Sequence, residues 1–348
     1  MNRKDKKWII IGITSMAIIL TIIISICLLS SENPLDSSTE NVKIDLHINQ
    51  LKGTDLISDS TLFNKYLKSE PEIMALLTNN YKSRDSEDTT SLEIWKSFFA
   101  KPYVKITERE IQNTFKDYNQ ISKNIIEAFK RLKFHFPKKE YPQNIIFANT
   151  NFGGNIYLEN GTILVGSERY IGGSKTVIQD SLPPQKFPKW MKSGFEKKYL
   201  LRDLLMSTLL YNKTIPLNNQ EKLINKMIYW GKILVVTEMA LRIGNKDIDP
   251  EILLRWNSSQ FDWAEKNEKA IYEYFIKNSN RLFSINEKDH AFVFNNGPYT
   301  IGFSEKSPDR LGQYLGWKMV RNYIFEEELP LSAMVKLEYR DILKKYKP

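Results

Sequence analysis

A helix with two glycines one turn apart on its apolar face needs another backbone close against it, and this chain carries such a helix near its C-terminus. Ser307 and Pro308 form a start signal, because a serine oxygen can cap free backbone N–H groups and proline lacks the N–H that a first turn leaves unpaired. Leu311, Leu315, Met319 and Tyr323 then recur every four residues, with Gly312, Gly316 and Val320 beside them. One face is therefore apolar and flat. Glycine inside a helix costs about 1 kcal/mol relative to alanine, so the pattern predicts that close approach outweighs propensity over 308–327.

The other end of the chain constrains location. Trp8 to Leu29 contains no charged residue, and as a helix it would span about 33 Å. Arg3, Lys4, Lys6 and Lys7 precede it, with only Asp5 opposing them, which favours a cytoplasmic N-terminus. The sequence thus predicts a basic tail at 1–7, a single transmembrane anchor at 8–29, a flexible linker at 30–41 and an exported domain at 42–348. Two other readings stay open: a cleaved secretory signal, and lipid attachment at Cys27, where Ile26 stands in place of the small residue that lipidation signals favour. Cys27 is the single cysteine, so the exported part has no disulfide and depends on its core. The formal charge of +9 comes from scattered Lys and Arg. Together with export, this argues for a basic surface near anionic lipid or envelope polymers and against nucleic acid.

Within the exported part, Val42, Ile44, Leu46 and Ile48 alternate with polar residues as in a half-buried strand, with His47 on its wet face. Short helices are expected near 61–68, 71–81 and 92–99. Thr107 and Glu110 stand at capping-box spacing before a stripe of Ile111, Phe115, Tyr118, Ile121, Ile125, Phe129 and Leu132, which predicts one helix over 108–134. Strands are expected at 144–149, 155–159 and 162–165, the last two joined by the hairpin signal Asn160-Gly161. Helices are expected over 189–211, 219–241, 251–256 and 259–278. The fold class is one α+β domain, mostly helical with a small β-sheet.

The chain carries few motifs of known chemistry. His47, His135 and His290 are isolated, with no Glu or second His at metal-binding spacing, and no calcium loop or Gly-x-Ser-x-Gly elbow occurs. No cofactor or metal is therefore assigned, and no catalytic residue. Arg310, Trp317 and Arg321 can recognise a carboxylate or phosphate, as guanidinium forks and an aromatic surface do; pairing with local acids such as Asp309 explains them equally well.

Several segments carry a resemblance. They are Phe129-Lys130-Arg131-Leu132-Lys133-Phe134-His135-Phe136-Pro137, Tyr170-Ile171-Gly172-Gly173, Met227-Ile228-Tyr229-Trp230-Gly231-Lys232, Phe261-Asp262-Trp263 with Tyr272-Glu273-Tyr274-Phe275, and Asp341 to Pro348. The signature segment is Ser307-Pro308-Asp309-Arg310-Leu311-Gly312 with Gly316-Trp317 and Val320-Arg321. Taken in chain order, they resemble the gliding-motility lipoprotein GldB family of Bacteroidetes. Asp309 replaces that family's usual glycine and Gly173 its lysine. The resemblance implies an envelope protein of the gliding or associated protein-secretion machinery, with protein partners and a scaffold distantly like zincin peptidases but lacking the metal motif. The alternative is an exported hydrolase or binding protein acting on envelope polymers through a cleft near Arg310 and Trp317.

Overall fold

The computed structural model describes residues 33–83, 89–217 and 221–348. The tail at 1–7, the anchor expected at 8–29 and Cys27 lie outside the described residues. Among the described residues no helix is long and apolar enough to cross a membrane.

A four-stranded sheet stands between two unequal helical layers. Its strands are β1 (His47–Gln50), β2 (Asn144–Ala148), β3 (Ile156–Glu159) and β4 (Thr162–Gly166), in the order β1-β2-β4-β3. β2 runs parallel to both β1 and β4, and β3 closes the edge antiparallel to β4. β2 and β4 are near-continuous apolar runs because both faces are covered. Ile145, Phe147, Ile163 and Val165 enter the larger core, whereas Ile146, Ala148 and Leu164 meet Trp95, Phe98 and Leu77 in the smaller one. The Asn160-Gly161 turn forms as expected, with both residues at positive φ. β1 is shorter than its alternating pattern, because β2 begins at Asn144 opposite His47 and gives the upstream residues no strand to pair with.

Among the described residues, six helices have twelve or more residues: α1 (Pro102–Thr114), α2 (Tyr118–His135), α3 (Leu200–Tyr211), α4 (Leu223–Leu241), α5 (Ser258–Lys277) and α6 (Leu311–Glu326). Three differ from expectation. The stripe predicted as one helix over 108–134 is split into α1 and α2. Pro102 starts α1 ahead of the expected position 108, and Thr107 lies inside it, bonding the Tyr103 carbonyl at 2.8 Å rather than capping. The break preserves the stripe because Phe115 and Tyr118, on either side, both meet Phe147, at ring separations of 5.6 and 5.7 Å. The helix expected over 189–211 is interrupted where Phe195 accepts from Gly172 N and Glu196 bridges Ile171, drawing the chain out of helical pairing.

The third difference concerns Ser307 and Pro308. α6 begins at Leu311, behind Arg310 in the left-handed conformation (φ 56°). Ser307 is buried beside Thr300, and it is Thr300 Oγ1 that accepts from Leu311 N at 3.2 Å. A residue across the loop thus satisfies the free donor that Ser307 was expected to cap.

α4 is the central helix, buried on every side from Gly231 to Leu241. α6 lies directly on it. Gly316 faces the Met227 carbonyl and Gly231 faces the Gly316 carbonyl, so the flat face predicted for α6 meets a matching gap on α4. Polar groups on α4 find partners: Lys232 donates to Val335 O at 2.9 Å and Leu337 O at 2.7 Å, pinning the C-terminal segment. Residues 33–37, read from sequence as linker, are docked. Leu35 is fully buried, and Arg131 donates to its carbonyl at 3.0 Å.

Candidate functional site

A polar cleft of about 570 Å³ opens where α3, the turn after Pro250–Leu254, the Phe294–Asn296 loop and the start of α6 converge. From α3 come Arg202, Asp203 and Met206, which share a face because a helix returns every 3.6 residues. Arg255 and Arg310 line the cleft from two turns, and both hold φ of 56°. A left-handed backbone is uncommon outside glycine and stores about 1–3 kcal/mol, so two such arginines at one cleft mark it as a site of stored strain. Asn155, Ser207, Asn295, Asn296, Gln313 and Trp230 are also part of the wall.

The charges form one network. Asp203 accepts from Arg202 Nη1 at 2.9 Å, Tyr170 Oη at 3.0 Å and Asn155 Nδ2 at 3.3 Å, and pairs with Arg255 Nη1 at 3.2 Å. Burial alone would raise the Asp203 carboxyl, but the guanidiniums of Arg255 and Arg202 hold it below its ordinary value. Burial pushes Arg202 down to about 10; Arg310 and Arg255 act the same way and Asp203 opposes them. Arg202 Nε donates to Leu253 O at 3.0 Å and Arg310 Nη2 to Leu254 O at 2.9 Å, so both take carbonyls at the end of one short helix. Asp309 supports Arg310 at 3.0 Å and accepts from Trp256 Nε1 at 2.9 Å and Gly297 N at 3.1 Å.

Of the residues singled out from sequence, Arg310 lines the cleft and Asp309 braces it. Ser307 is buried in the loop below. Gly312 packs against Val293 and Phe294, and Gly316 against α4. Trp317 and Arg321 do not line the cleft: both bind Glu238 of α4, Trp317 Nε1 at 2.8 Å to one oxygen and Arg321 Nε at 2.8 Å to the other. Sequence reasoning missed Arg202, Asp203 and Arg255. Their only signal was charge inside otherwise apolar stretches, such as Leu200-Leu201-Arg202-Asp203-Leu204-Leu205.

A second cavity, of about 340 Å³, sits at the C-terminal ends of the parallel strands, lined by Gln50, Lys52, Glu108, Gln112, Asn149 and Ser167 among others. Burial pushes the Glu108 carboxyl up to about 7, against a hydrogen bond from Asn149 Nδ2 at 2.9 Å, with Glu168 adding to the rise. Among the described residues no three His, Cys, Asp or Glu side chains converge as a metal-holding group.

No curated protein and no solved structure matches the chain. The family model described as gliding motility protein GldB matches residues 32–348, nearly the whole of the chain that the fold and its cleft occupy, and the chain belongs to that family.

Proposed function

We propose that the protein is a non-enzymatic, membrane-tethered envelope component of the gliding machinery or its associated protein-secretion machinery, acting by contact through the arginine-lined cleft. The observation carrying this reading is Asp203. It is the cleft's own carboxylate, and it is held ionised by two guanidiniums while accepting a tyrosine hydroxyl. A carboxylate so engaged is a weak general base. Arg202, Asp203 and Met206 face the cleft at the spacing where zinc hydrolases place His, Glu and His on one helix. On a zincin-like scaffold, arginine would occupy a ligand position, and guanidinium offers no lone pair to a metal. Binding without hydrolysis is the consistent outcome.

Family membership favours lipid attachment at Cys27 over the membrane-spanning anchor at 8–29 as the tether; metabolic lipid label that is lost in Cys27→Ser would refute the uncleaved anchor, and no label on the parent protein would favour it. Protein partners in an envelope complex are part of this reading. Its test is chromosomal replacement by the double variant Asn295→Asp/Asn296→Asp, which charges the exposed rim of the cleft without touching a buried ion pair. Spreading and secretion should both fall while the protein stays folded and abundant. Normal spreading and secretion would overturn the assignment of function to the cleft.

A second reading, a binding protein for envelope polymers, draws support from the cleft's amide-rich lining.

A further inference from the structure

From the lining of the cleft we infer that its ligand is an anionic saccharide, a sugar bearing a carboxylate or a phosphate, seated between the guanidiniums and the amide wall. This rests on the reading of the cleft as the functional site and names what it receives.

Arg202, Arg255 and Arg310 face only Asp203 and Asp309 as carboxylate partners in the network, which leaves one positive charge in excess. Arg310 Nε pairs with Asp309 Oδ2 at 3.0 Å, whereas Arg255 has no acceptor for its buried Nε, so Arg255 is the guanidinium that the local acids do not saturate. Mutual repulsion is part of why Arg202 holds its proton less tightly than a free guanidinium. An anion in the cleft relieves all three arginines together, and a planar fork suits carboxylate and phosphate oxygens in pairs.

The rest of the wall selects the body that carries the charge. Asn155, Asn295, Asn296, Gln313 and Ser207 present amides and a hydroxyl, groups that donate and accept and so match a ring of hydroxyls. Trp230 and Phe294 supply aromatic surface on which the apolar face of a sugar ring can lie. The cleft's volume falls within the range of small-ligand sites, about 300–1,000 Å³. An extended peptide would instead ask for an unpaired strand edge or a row of apolar side-chain pockets, and this wall is mostly amide and charge.

Strain supports the assignment independently. Arg255 and Arg310 occupy left-handed turns where glycine or asparagine would sit without penalty. Both side chains reach the same cleft from opposite elements, so the backbone tolerates the conformation where the guanidinium is delivered.

The test is calorimetric titration of the full-length chain in detergent with four probes: galacturonate oligomers, glucose 6-phosphate, neutral galactose oligomers and inorganic phosphate. Saturable binding of the first or second is expected, with the stronger of the two naming the anion, and with affinity falling at least tenfold in Asn295→Asp/Asn296→Asp and on raising salt from about 0.05 to 0.5 M. Arg255→Gln is the second variant, expected to weaken the anionic sugar tenfold or more. Equal binding of neutral oligomers would overturn the anionic character, and equal binding of inorganic phosphate would overturn the saccharide. If no probe binds while the rim variant still abolishes spreading, the saccharide proposal falls and the functional reading of the cleft stands. If no probe binds and the rim variant spreads normally, both fall.

Discussion

Gly231 and Gly316 meet backbone to backbone: a β-carbon on Gly231 would stand 2.1 Å from the Gly316 carbonyl oxygen, and one on Gly316 would stand 1.9 Å from that of Met227. Neither neighbour is a flexible side chain, so nothing short of parting α4 and α6 makes room. Gly316→Ala is expected to destabilise the protein by about 3 kcal/mol or more, and Gly231→Ala similarly, as overpacking of a rigid core does. Gly312→Ala is the milder case, since its nearest neighbour is the Phe294 ring at 2.9 Å, which can shift; a loss of about 1 kcal/mol is expected. Urea unfolding of the three variants checks the order, and an equal loss at all three positions would refute it.

Asp309 holds Trp256, Gly297 and Arg310 at once. Asp309→Ala leaves a buried guanidinium and two N–H groups without their acceptor and should cost about 3–5 kcal/mol. Asp309→Asn keeps an oxygen for Trp256 and should cost less. Thermal unfolding distinguishes them, and equal losses would mean that charge at 309 matters more than the hydrogen bonds.

Glu108 gives a pH dependence with a defined sign. Its folded-state pKa is raised from 4.5 to about 7, chiefly by burial. The folded protein therefore holds this proton more tightly than the unfolded chain. Stability is greatest below the unfolded value and declines as pH rises from about 4.5 to about 7. Glu108→Gln removes that decline and should be more stable than the parent by about 1–3 kcal/mol near pH 8, but not near pH 4. Denaturant unfolding across that range checks it; a difference independent of pH would rule out titration of Glu108.

His135 works in the opposite sense. Burial pushes it down from 6.5 to about 4, with Arg131 acting the same way and the Asp36 carbonyl opposing. Its contribution is present above the unfolded pKa and is lost as pH falls from about 6.5 toward 4. Because its Nε2 lies 2.9 Å from Ser37 Oγ, the docked segment at 35–37 should loosen over this window. Hydrogen exchange at residues 35–37, corrected for intrinsic rate, should be faster at pH 5 than at pH 7, and His135→Gln should flatten the difference.

Periodicity made α6 legible, together with its flat face, the Asn160-Gly161 hairpin and both buried strands, because each depends on neighbours within a few residues. The partner of the flat face was not legible: Gly231 sits in a helix so uniformly apolar that no stripe points to the contact. Arg310 could be flagged from its place in a signature segment, but its left-handed turn could not, since it arises from Thr300 closing the loop. Arg202, Asp203 and Arg255 become a site only when α3 meets the end of the Pro250–Leu254 helix. Trp317 and Arg321 had the right chemistry for recognition and were drawn instead to Glu238, because a carboxylate buried on α4 needs both of them.

The docked start of the described chain has a mechanical consequence. Leu35 is sealed in the core, Ser37 N donates to Asn245 Oδ1 at 3.0 Å and Asp36 pairs with Arg242 at 2.8 Å. Any attachment made at Cys27 is therefore separated from the docked Leu35 by at most about 29 Å of chain. A mooring of that length starts from the side bearing His135, Arg242 and Asn245, so that side would be the one nearest the point of attachment. The reach of the whole protein from its attachment would then be shortened by a few residues that look, in sequence, like slack rope.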